Sequence, residues 1–417
     1  IIRHHPKTLK DIHYFAKSAG IDLLGELRRR VFEWHNDIRH PNLYSARLAI
    51  VLVLPKTRGE AGTVESLEEV GFLTVSSVME IGKDIGRLET KDGHPAALVP
   101  MALEREGGET TVIQVTVMQA FSREMAAAQN GDPKPSDRKI TAVGMGAFGS
   151  QLFLSLARAG YGDWTLVDDD ILLPHNLARH ALTGGALGYG KADALSVIAN
   201  MMFNGQTIAK PLFANAINPD EGMAEPLRQA FEESGVILDL SASISAARHL
   251  ARDVVSKARR ISLFMNPIGT DLVMLAEDDK RSITLDCLEM QYYRYIIQTP
   301  SLEDHLRRPP GRIRYGNSCR DINSKLPEDL VALHASIACR ALRNTEKDTN
   351  ASIFIWRVDR VTGEVKRHQV PVEKTVEIKA GRWTLYSDQH LVEKIKEARE
   401  KLVPKETGGV LLGSIDT

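Results

Sequence analysis

Three glycines, Gly144, Gly146 and Gly149, stand in GxGxxG spacing within the run "VGMGAFGS". Residues without a side chain let a backbone turn approach a nucleotide, and a helix opening there directs its free amides and positive end at phosphate. By itself the spacing does not separate a mononucleotide site from a dinucleotide site or a structural turn. Asp168 ends the next strand, 24 residues after Gly144, about where an acidic side chain would hold ribose hydroxyls. The following segment, "VDDDILLPHNLARHALTGGALGYGKADAL", supplies Asp170, Asn176, Arg179 and Lys191. An Arg and a Lys aimed at the glycine loop could neutralise a triphosphate, which a pyrophosphate-bridged dinucleotide does not require. Taken singly, both also read as ordinary surface charges.

The three cysteines differ in their surroundings. Cys287 in "LDCLEMQYY" and Cys339 in "LHASIACRAL" sit in helical, apolar patterns and read as packing residues. Cys319 lies in "RRPPGRIRYGNSCRD", ahead of a helix from Pro327, where Arg314, Arg320 and the helix N-terminus would favour thiolate over thiol. A nucleophile is one reading of Cys319 and a chance free cysteine is the other.

The elements that must position these residues follow from periodicity. From Lys139 strands alternate with helices: "KITAVG", a helix to Ala159, "WTLVDDD", a helix from Lys191, "GVILDL" and a helix from Ile244. The alternation predicts an α/β fold with a Rossmann-like, mostly parallel sheet wrapped by helices. A further helix is expected from Pro327 to about Leu342, then a strand in "SIFIWRV". Upstream, Leu9, Ile12 and Phe15, then Leu24, Leu27, Val31 and Trp34, mark two packing helices. "RLAIVLVLP" reads as a strand buried on both faces and "TTVIQVTVM" as one buried on one face. The turn chemistry of "AAAQNGDPKPSDR" marks a boundary, so residues 1–130 are expected as an α+β auxiliary domain and 131–385 as the nucleotide domain. Near the end, Asp388 can cap a helix with Leu391, Ile395, Ala398 and Leu402 on one face, and "ETGGVLLG" reads as a strand.

With 417 residues, 43% hydrophobic and 26% charged, the chain has material for two or three folded domains, and wholesale disorder is excluded. Fifty-three basic against 54 acidic residues, a net charge of -1, argue against a general nucleic-acid partner. The longest aliphatic run, Leu48 to Leu54, falls short of the ~20 residues of a membrane span, so no membrane partner is expected. Three cysteines cannot build a disulfide framework, which suggests a reducing cytoplasm.

The ordered set of glycine loop, Asp168, Asp170, Asn176, Arg179 and Lys191 resembles the ubiquitin-activating (ThiF/MoeB) superfamily of adenylyltransferases, over Lys139 to about Leu250. The wording "PHNLARH" looks most like bacterial ubiquitin-like conjugation proteins that fuse activating, conjugating and deubiquitinating-like modules, some serving antiviral defence. The resemblance implies that Asp168 holds the ATP ribose and that Arg179 and Lys191 contact the phosphates. It implies C-terminal adenylation of a ubiquitin-like protein, thioester formation on Cys319, transfer to a ubiquitin-conjugating-like enzyme, and a homodimer. A sulfur-carrier adenylyltransferase without thioester transfer, or an inert nucleotide-fold scaffold, are the alternatives.

Two departures stand out. Relatives carry a second acid after this strand that helps bind Mg²⁺, whereas "LDLSAS" places Asp239 first and Ala242 where that acid is expected. Either Asp239 or Asp170 then takes the role. The paired CxxC motifs of several biosynthetic relatives are also missing, so no structural zinc is expected there. "RHPN" at Arg39 to Asn42 is similar to the His-Pro-Asn triplet of conjugating enzymes, but no cysteine follows until Cys287, and it reads as an ordinary turn. The tail "HLVEKIKEAREKLVPKETGGVLLG" resembles the start of JAB/MPN metalloproteases over 386–417, with Glu406 at the position of their catalytic acid. Zinc is implied only if a His-x-His and a later Asp follow.

Overall fold

Capping chemistry opens the first helices. Thr8 and Asp11 form a reciprocal capping box at α1 (Leu9–Ser18), Asp22 caps α2 (Leu23–His35), and Ser77 with Glu80 boxes α3 (Val78–Asp84). This is a computed structural model that describes residues 5–36, 42–57, 62–98, 105–307, 326–406 and 408, with the backbone of 313–314 and 322–323. The chain divides into two units, Ile1–Gln119 and Ala120–Thr417.

In the first unit, strands β1 (Arg47–Thr57), β2 (Val64–Ser77) and β5 (Val112–Val115) form an antiparallel sheet in the order β1-β2-β5, and β3 (Leu88–Lys91) pairs with β4 (His94–Ala97). Leu9, Leu24 and Val31 of the helices pack with Ile81 and Ile85, while Ile12 meets Phe72 and Val112 on the sheet. Burial of β1 on both faces does not hold. The strand alternates half-buried and exposed residues, because helices cover only one face of the sheet and Val51 and Val53 lie on the other. Of the "RHPN" run, Asn42 opens a short turn over Leu43–Ser45, and His40 and Pro41 lie outside the described residues.

The second unit begins with α4 (Arg123–Gln129) and is built on an eight-stranded sheet. Its parallel part comprises β6 (Ser136–Val143), β7 (Tyr161–Val167), β8 (Ala209–Leu212), β9 (Val236–Asp239) and β10 (Arg259–Met265). The intervening helices are α5 (Ala147–Arg158), α6 (Lys191–Met202), α7 (Glu221–Glu233) and α8 (Ile244–Arg252). Strand β11 (Asp271–Ala276) turns back antiparallel, followed by α9 (Leu285–Gln298) and the short pair β12 (Ile313–Arg314) and β13 (Ile322–Asn323). Helix α10 (Glu328–Asn344) leads to antiparallel β14 (Ser352–Val358) and β15 (Val365–Val370). The sheet order β15-β14-β11-β10-β9-β6-β7-β8 confirms the expected α/β, Rossmann-like, mostly parallel fold.

Side-chain alternation along these strands builds a layer on each face. Ile140, Ala142, Leu238, Leu272 and Met274 meet α5, α6 and α10 on one face. Val143 and Ile237 meet α7 and α8 on the other, where Val273 and Leu275 meet α9. The buried Arg260 closes the loop after α8 by donating to the carbonyls of Leu250, Val254, Ser256 and Ala258. A hairpin of β16 (Thr375–Ala380) and β17 (Trp383–Asp388) leads into α11 (Gln389–Glu400). As expected, Asp388 caps this helix by accepting from the Leu391 amide at 2.9 Å, and it also pairs with Arg294 of α9. Ile395 and Leu402 of its apolar face are nonetheless exposed.

The order β8-β7-β6-β9-β10 reverses direction between β6 and β9, and such a switch point opens a crevice at the carboxyl ends of the strands. Phe153 of α5, fully buried and edge-on to Trp164 of β7 at 5.3 Å, helps set the helix on that edge. Phe153→Ala is expected to lower the stability of the second unit by roughly 3–5 kcal/mol, read from urea-unfolding midpoints of the full chain. A loss below about 1 kcal/mol would remove this pair from the core account.

Candidate nucleotide-binding site

The glycine loop sits at the switch point and is built by close backbone approach. Gly144 has φ +95°, and a Cβ there would lie 2.7 Å from Cα and 2.8 Å from N of Ser241, in the turn after β9. A Cβ on Gly149 would lie 2.2 Å from the Gly144 carbonyl oxygen. These two positions therefore exclude any side chain. Gly146 is different: it is the residue preceding α5, no side chain caps the helix, and a Cβ on it would meet no atom within 4 Å. The first amides of α5 thus have no capping side chain among the described residues, as an anion site at a helix start requires.

Between the glycines, Met145 is fully buried and held from both sides. Its amide donates to Asp168 Oδ2 at 2.5 Å, and its carbonyl accepts from His180 Nε2 at 2.8 Å. His180 Nδ1 accepts from the Leu182 amide at 3.1 Å, so the ring is the neutral tautomer with its hydrogen on Nε2. Burial, with a smaller contribution from the charge of Lys191, lowers the His180 pKa to about 4. Sequence reasoning missed His180, because one imidazole in a polar loop carries no signal of its carbonyl partner.

Asp168 also accepts from the Asp170 amide at 2.8 Å, through Oδ1. Each of its oxygens keeps a second acceptor position, which suits ribose hydroxyls. Burial raises its pKa against the opposing pull of Lys191 and the two amides. Lys191 opens α6, and its amide is bonded to the Asp170 carbonyl at 3.0 Å. Its Nζ reaches Asp170 Oδ2 at 2.9 Å, with the lysine side chain 8% and the aspartate 43% exposed. A buried ammonium beside a more open carboxylate can be taken over by a phosphate.

Arg179 donates from Nη1 to the Leu326 carbonyl at 3.1 Å, just ahead of α10, and its own carbonyl accepts from Gln151 of α5 at 2.8 Å. Asn176 has a local task, its Oδ1 accepting from the Leu173 amide at 2.9 Å to close the turn that presents Arg179. The geometry therefore gathers Gly144, Gly146, Gly149, Asp168, Asp170 and Lys191 around the carboxyl ends of β6 and β7 and places Asn176 behind Arg179.

Asp239, expected as a nucleotide or magnesium ligand, is 3% exposed and already engaged. Oδ1 accepts from the Ser241 amide at 3.1 Å and hydroxyl at 2.6 Å, and Oδ2 accepts from the Ser262 hydroxyl at 2.7 Å. Burial raises its pKa. Ala242, at φ +53°, offers only a methyl group. With both Asp239 oxygens bonded to serines and only a methyl group at Ala242, the turn after β9 presents no open carboxylate to a magnesium ion; Asp170, 43% exposed, is the more open carboxylate of the site, and no group of three or more His, Cys, Asp or Glu that could by itself hold a metal occurs among the described residues.

Cys319 lies outside the described residues. Burial raises the thiol pKa of Cys287 and raises that of Cys339 to about 12, in keeping with packing roles. Glu406 is described and exposed, while 409–417 are not described. No described helix is long and apolar enough to cross a membrane.

Gly144→Ala should destabilise the second unit by roughly 1–3 kcal/mol or more, whereas Gly146→Ala should leave unfolding midpoints unchanged. Equal midpoints for the two variants would contradict the packing described. His180 stays neutral in the folded chain down to about 4, while an unfolded histidine titrates near 6.5. Stability must therefore decline as pH falls below ~6.5, because the unfolded state takes up a proton that the folded state refuses until pH ~4. Between pH 7 and 4 the unsubstituted chain should lose on the order of 3 kcal/mol more than His180→Gln. Parallel stability curves would argue against a buried neutral imidazole.

A profile of the ThiF family matches residues 121–370. Over 129 residues the chain is 30% identical to the ATP-dependent ubiquitin transferase-like protein Cap2 of Enterobacter hormaechei, covering 31% of this chain and 21% of that protein. Over 136 residues it is 29% identical to the uncharacterized protein y4qC of Sinorhizobium fredii, covering 31% and 23%. The matched region thus spans about a fifth of the length of these curated relatives. Among solved structures, E. coli MccB with ATP is 13% identical, covering 56% of this chain and 63% of that one at a TM-score of 0.39. PaaA is 16% identical, covering 60% and 66% at 0.38. Because the family profile spans well over half of the chain, including the glycine loop, Asp168, Asp170, Arg179 and Lys191, the chain belongs to the ThiF family.

Proposed function

We propose that this chain uses ATP to adenylate the C-terminal carboxylate of a ubiquitin-like protein. The observation that carries the reading is the meeting of the uncapped start of α5, Asp168 and the buried Lys191 at the carboxyl ends of β6 and β7. Asp168 holds the ribose, the α5 amides receive the phosphates, and Lys191 leaves Asp170 to neutralise them. Arg179 adds a second cation by exchanging the Leu326 carbonyl for phosphate. The carboxylate oxygen attacks the α-phosphorus, the bond to the β-phosphate oxygen breaks, and pyrophosphate leaves. Catalysis of this step is positioning and charge neutralisation.

In the second step the Cys319 thiolate attacks the acyl carbon, AMP departs, and the thioester is passed to a ubiquitin-conjugating-like enzyme. The ThiF match and the likeness to a ubiquitin transferase-like protein over 129 residues support a ubiquitin-like substrate. A homodimer through the nucleotide unit and a JAB/MPN-like continuation using Glu406 belong to the same reading. Ala242 and the serine-bound Asp239 favour one second reading, nucleotide binding without turnover.

ATP/pyrophosphate exchange with a ubiquitin-like carrier separates the two readings. Lys191→Ala and Arg179→Ala should each weaken nucleotide binding roughly 10- to 100-fold without unfolding the chain. Cys319→Ala should keep the exchange and lose the thiol-sensitive adduct with the carrier. Tight nucleotide binding with no exchange would favour the second reading, and unchanged affinity in both cation variants would refute the ATP site.

A further inference from the structure

Arg179 is held through both its side chain and its main chain. The guanidinium donates from Nη1 to the Leu326 carbonyl at 3.1 Å, and the Arg179 carbonyl accepts from Gln151 Nε2 of α5 at 2.8 Å. The same Gln151 nitrogen faces the carboxylate of Glu328, the first residue of α10, at 3.0 Å to Oε1 and 2.9 Å to Oε2. A glutamine amide carries two hydrogens, so one goes to the Arg179 carbonyl and the other is shared by the two carboxylate oxygens. Both partners only accept, which fixes the orientation of the amide. Turned over, Gln151 would set its own oxygen against a carbonyl and a carboxylate. One half-buried side chain therefore joins three points distant in sequence: the second turn of α5, Arg179 and the first turn of α10.

The residues next to Arg179 are tied down in the same direction. His180 Nε2 donates to the Met145 carbonyl at 2.8 Å, and the Ala181 amide donates to Ser150 Oγ at 3.1 Å. Residues 179–181 are thus each bonded to α5 or to the loop that opens it. These bonds leave the guanidinium to be exchanged separately. If it leaves the Leu326 carbonyl for a phosphate, the Gln151 bond still holds the Arg179 main chain, and the move is a change of side-chain torsions alone. Without that bond the backbone at the end of the Pro174–Ala178 turn would have to be ordered at the same time, which costs further conformational entropy.

We propose that Gln151, oriented by Glu328, is the positioning residue of Arg179, keeping the arginine main chain on α5 while the guanidinium passes from the Leu326 carbonyl to the nucleotide phosphates. The phosphate contact rests on the adenylation reading; the three-way hydrogen bonding does not.

ATP affinity of the full chain, measured by calorimetry in a double-mutant cycle, tests this. Gln151→Leu, which keeps the size and removes both donors, should weaken ATP binding roughly three- to tenfold, the worth of one hydrogen bond. In the Arg179→Ala background the same substitution should change affinity by less than about twofold, because a residue that acts through the guanidinium has no effect once it is gone. A purely structural role would lower affinity by the same factor in both backgrounds. A second variant, Gln151→Glu combined with Glu328→Gln, exchanges donor and acceptor. It should restore the bond between α5 and α10, and with it the urea-unfolding midpoint, but it leaves the Arg179 carbonyl without a donor, so ATP binding should stay weak. Equal losses in both backgrounds, no loss for Gln151→Leu alone, or recovered affinity in the exchanged pair would overturn the proposal while leaving the nucleotide site intact. If the unsubstituted chain binds no ATP, or Arg179→Ala binds it equally well, the phosphate contact falls and the positioning role falls with it.

Discussion

Everything at the candidate site depends on the meeting of two backbone turns, the one after β6 and the one after β9. Gly144 comes so close to Ser241 that no side chain fits between them, and this contact brings the start of α5 to the crevice of the sheet. Met145 then has its amide on Asp168 and its carbonyl on His180, so the loop, the end of β7 and the segment before α6 form one hydrogen-bonded unit. These backbone bonds hold the site ready before a ligand arrives, while the start of α5 and the remaining acceptor positions of Asp168 keep capacity for one.

The layers behind the loop explain why it can be held so firmly. Alternating side chains of the parallel strands bury one row against α5, α6 and α10 and the other against α7, α8 and α9. Helices on both faces leave only the strand ends open to solvent, and a switch point at those ends is where a nucleotide crevice forms. Buried arginines secure the far edge through backbone carbonyls. Arg259 reaches those of Glu277, Thr345 and Asn350 and pairs with Asp279 at 3.7 Å, and burial lowers its pKa against the pull of that acid.

The turn after β9 shows how a family pattern can be kept in outline and altered in chemistry. Asp239 remains at the end of its strand, but serines occupy both of its oxygens and fix it as an anchor for the turn. Ala242 takes a left-handed backbone conformation and turns a methyl group toward a neighbouring pocket. The same turn therefore supports the glycine loop through Ser241 and lines the neighbouring pocket through Ala242 and Ser243.

Much of this was legible in the sequence, and the reason is local. The order of strands and helices from Lys139, the glycine spacing, the cap at Asp388 and the packing roles of Cys287 and Cys339 all follow from short-range periodicity and turn chemistry. Asp168 and Lys191 were identifiable as partners of the glycine loop because chemistry restricts which residue types can serve there. Tertiary structure decided what depends on residues distant in the chain. The His180 bond to Met145 and the capture of Asp239 by Ser262 are set by packing between elements. The exposed outer face of β1 is a similar case: an apolar run shows that a strand can be buried on both sides, but only the number of helices that reach the sheet determines whether it is.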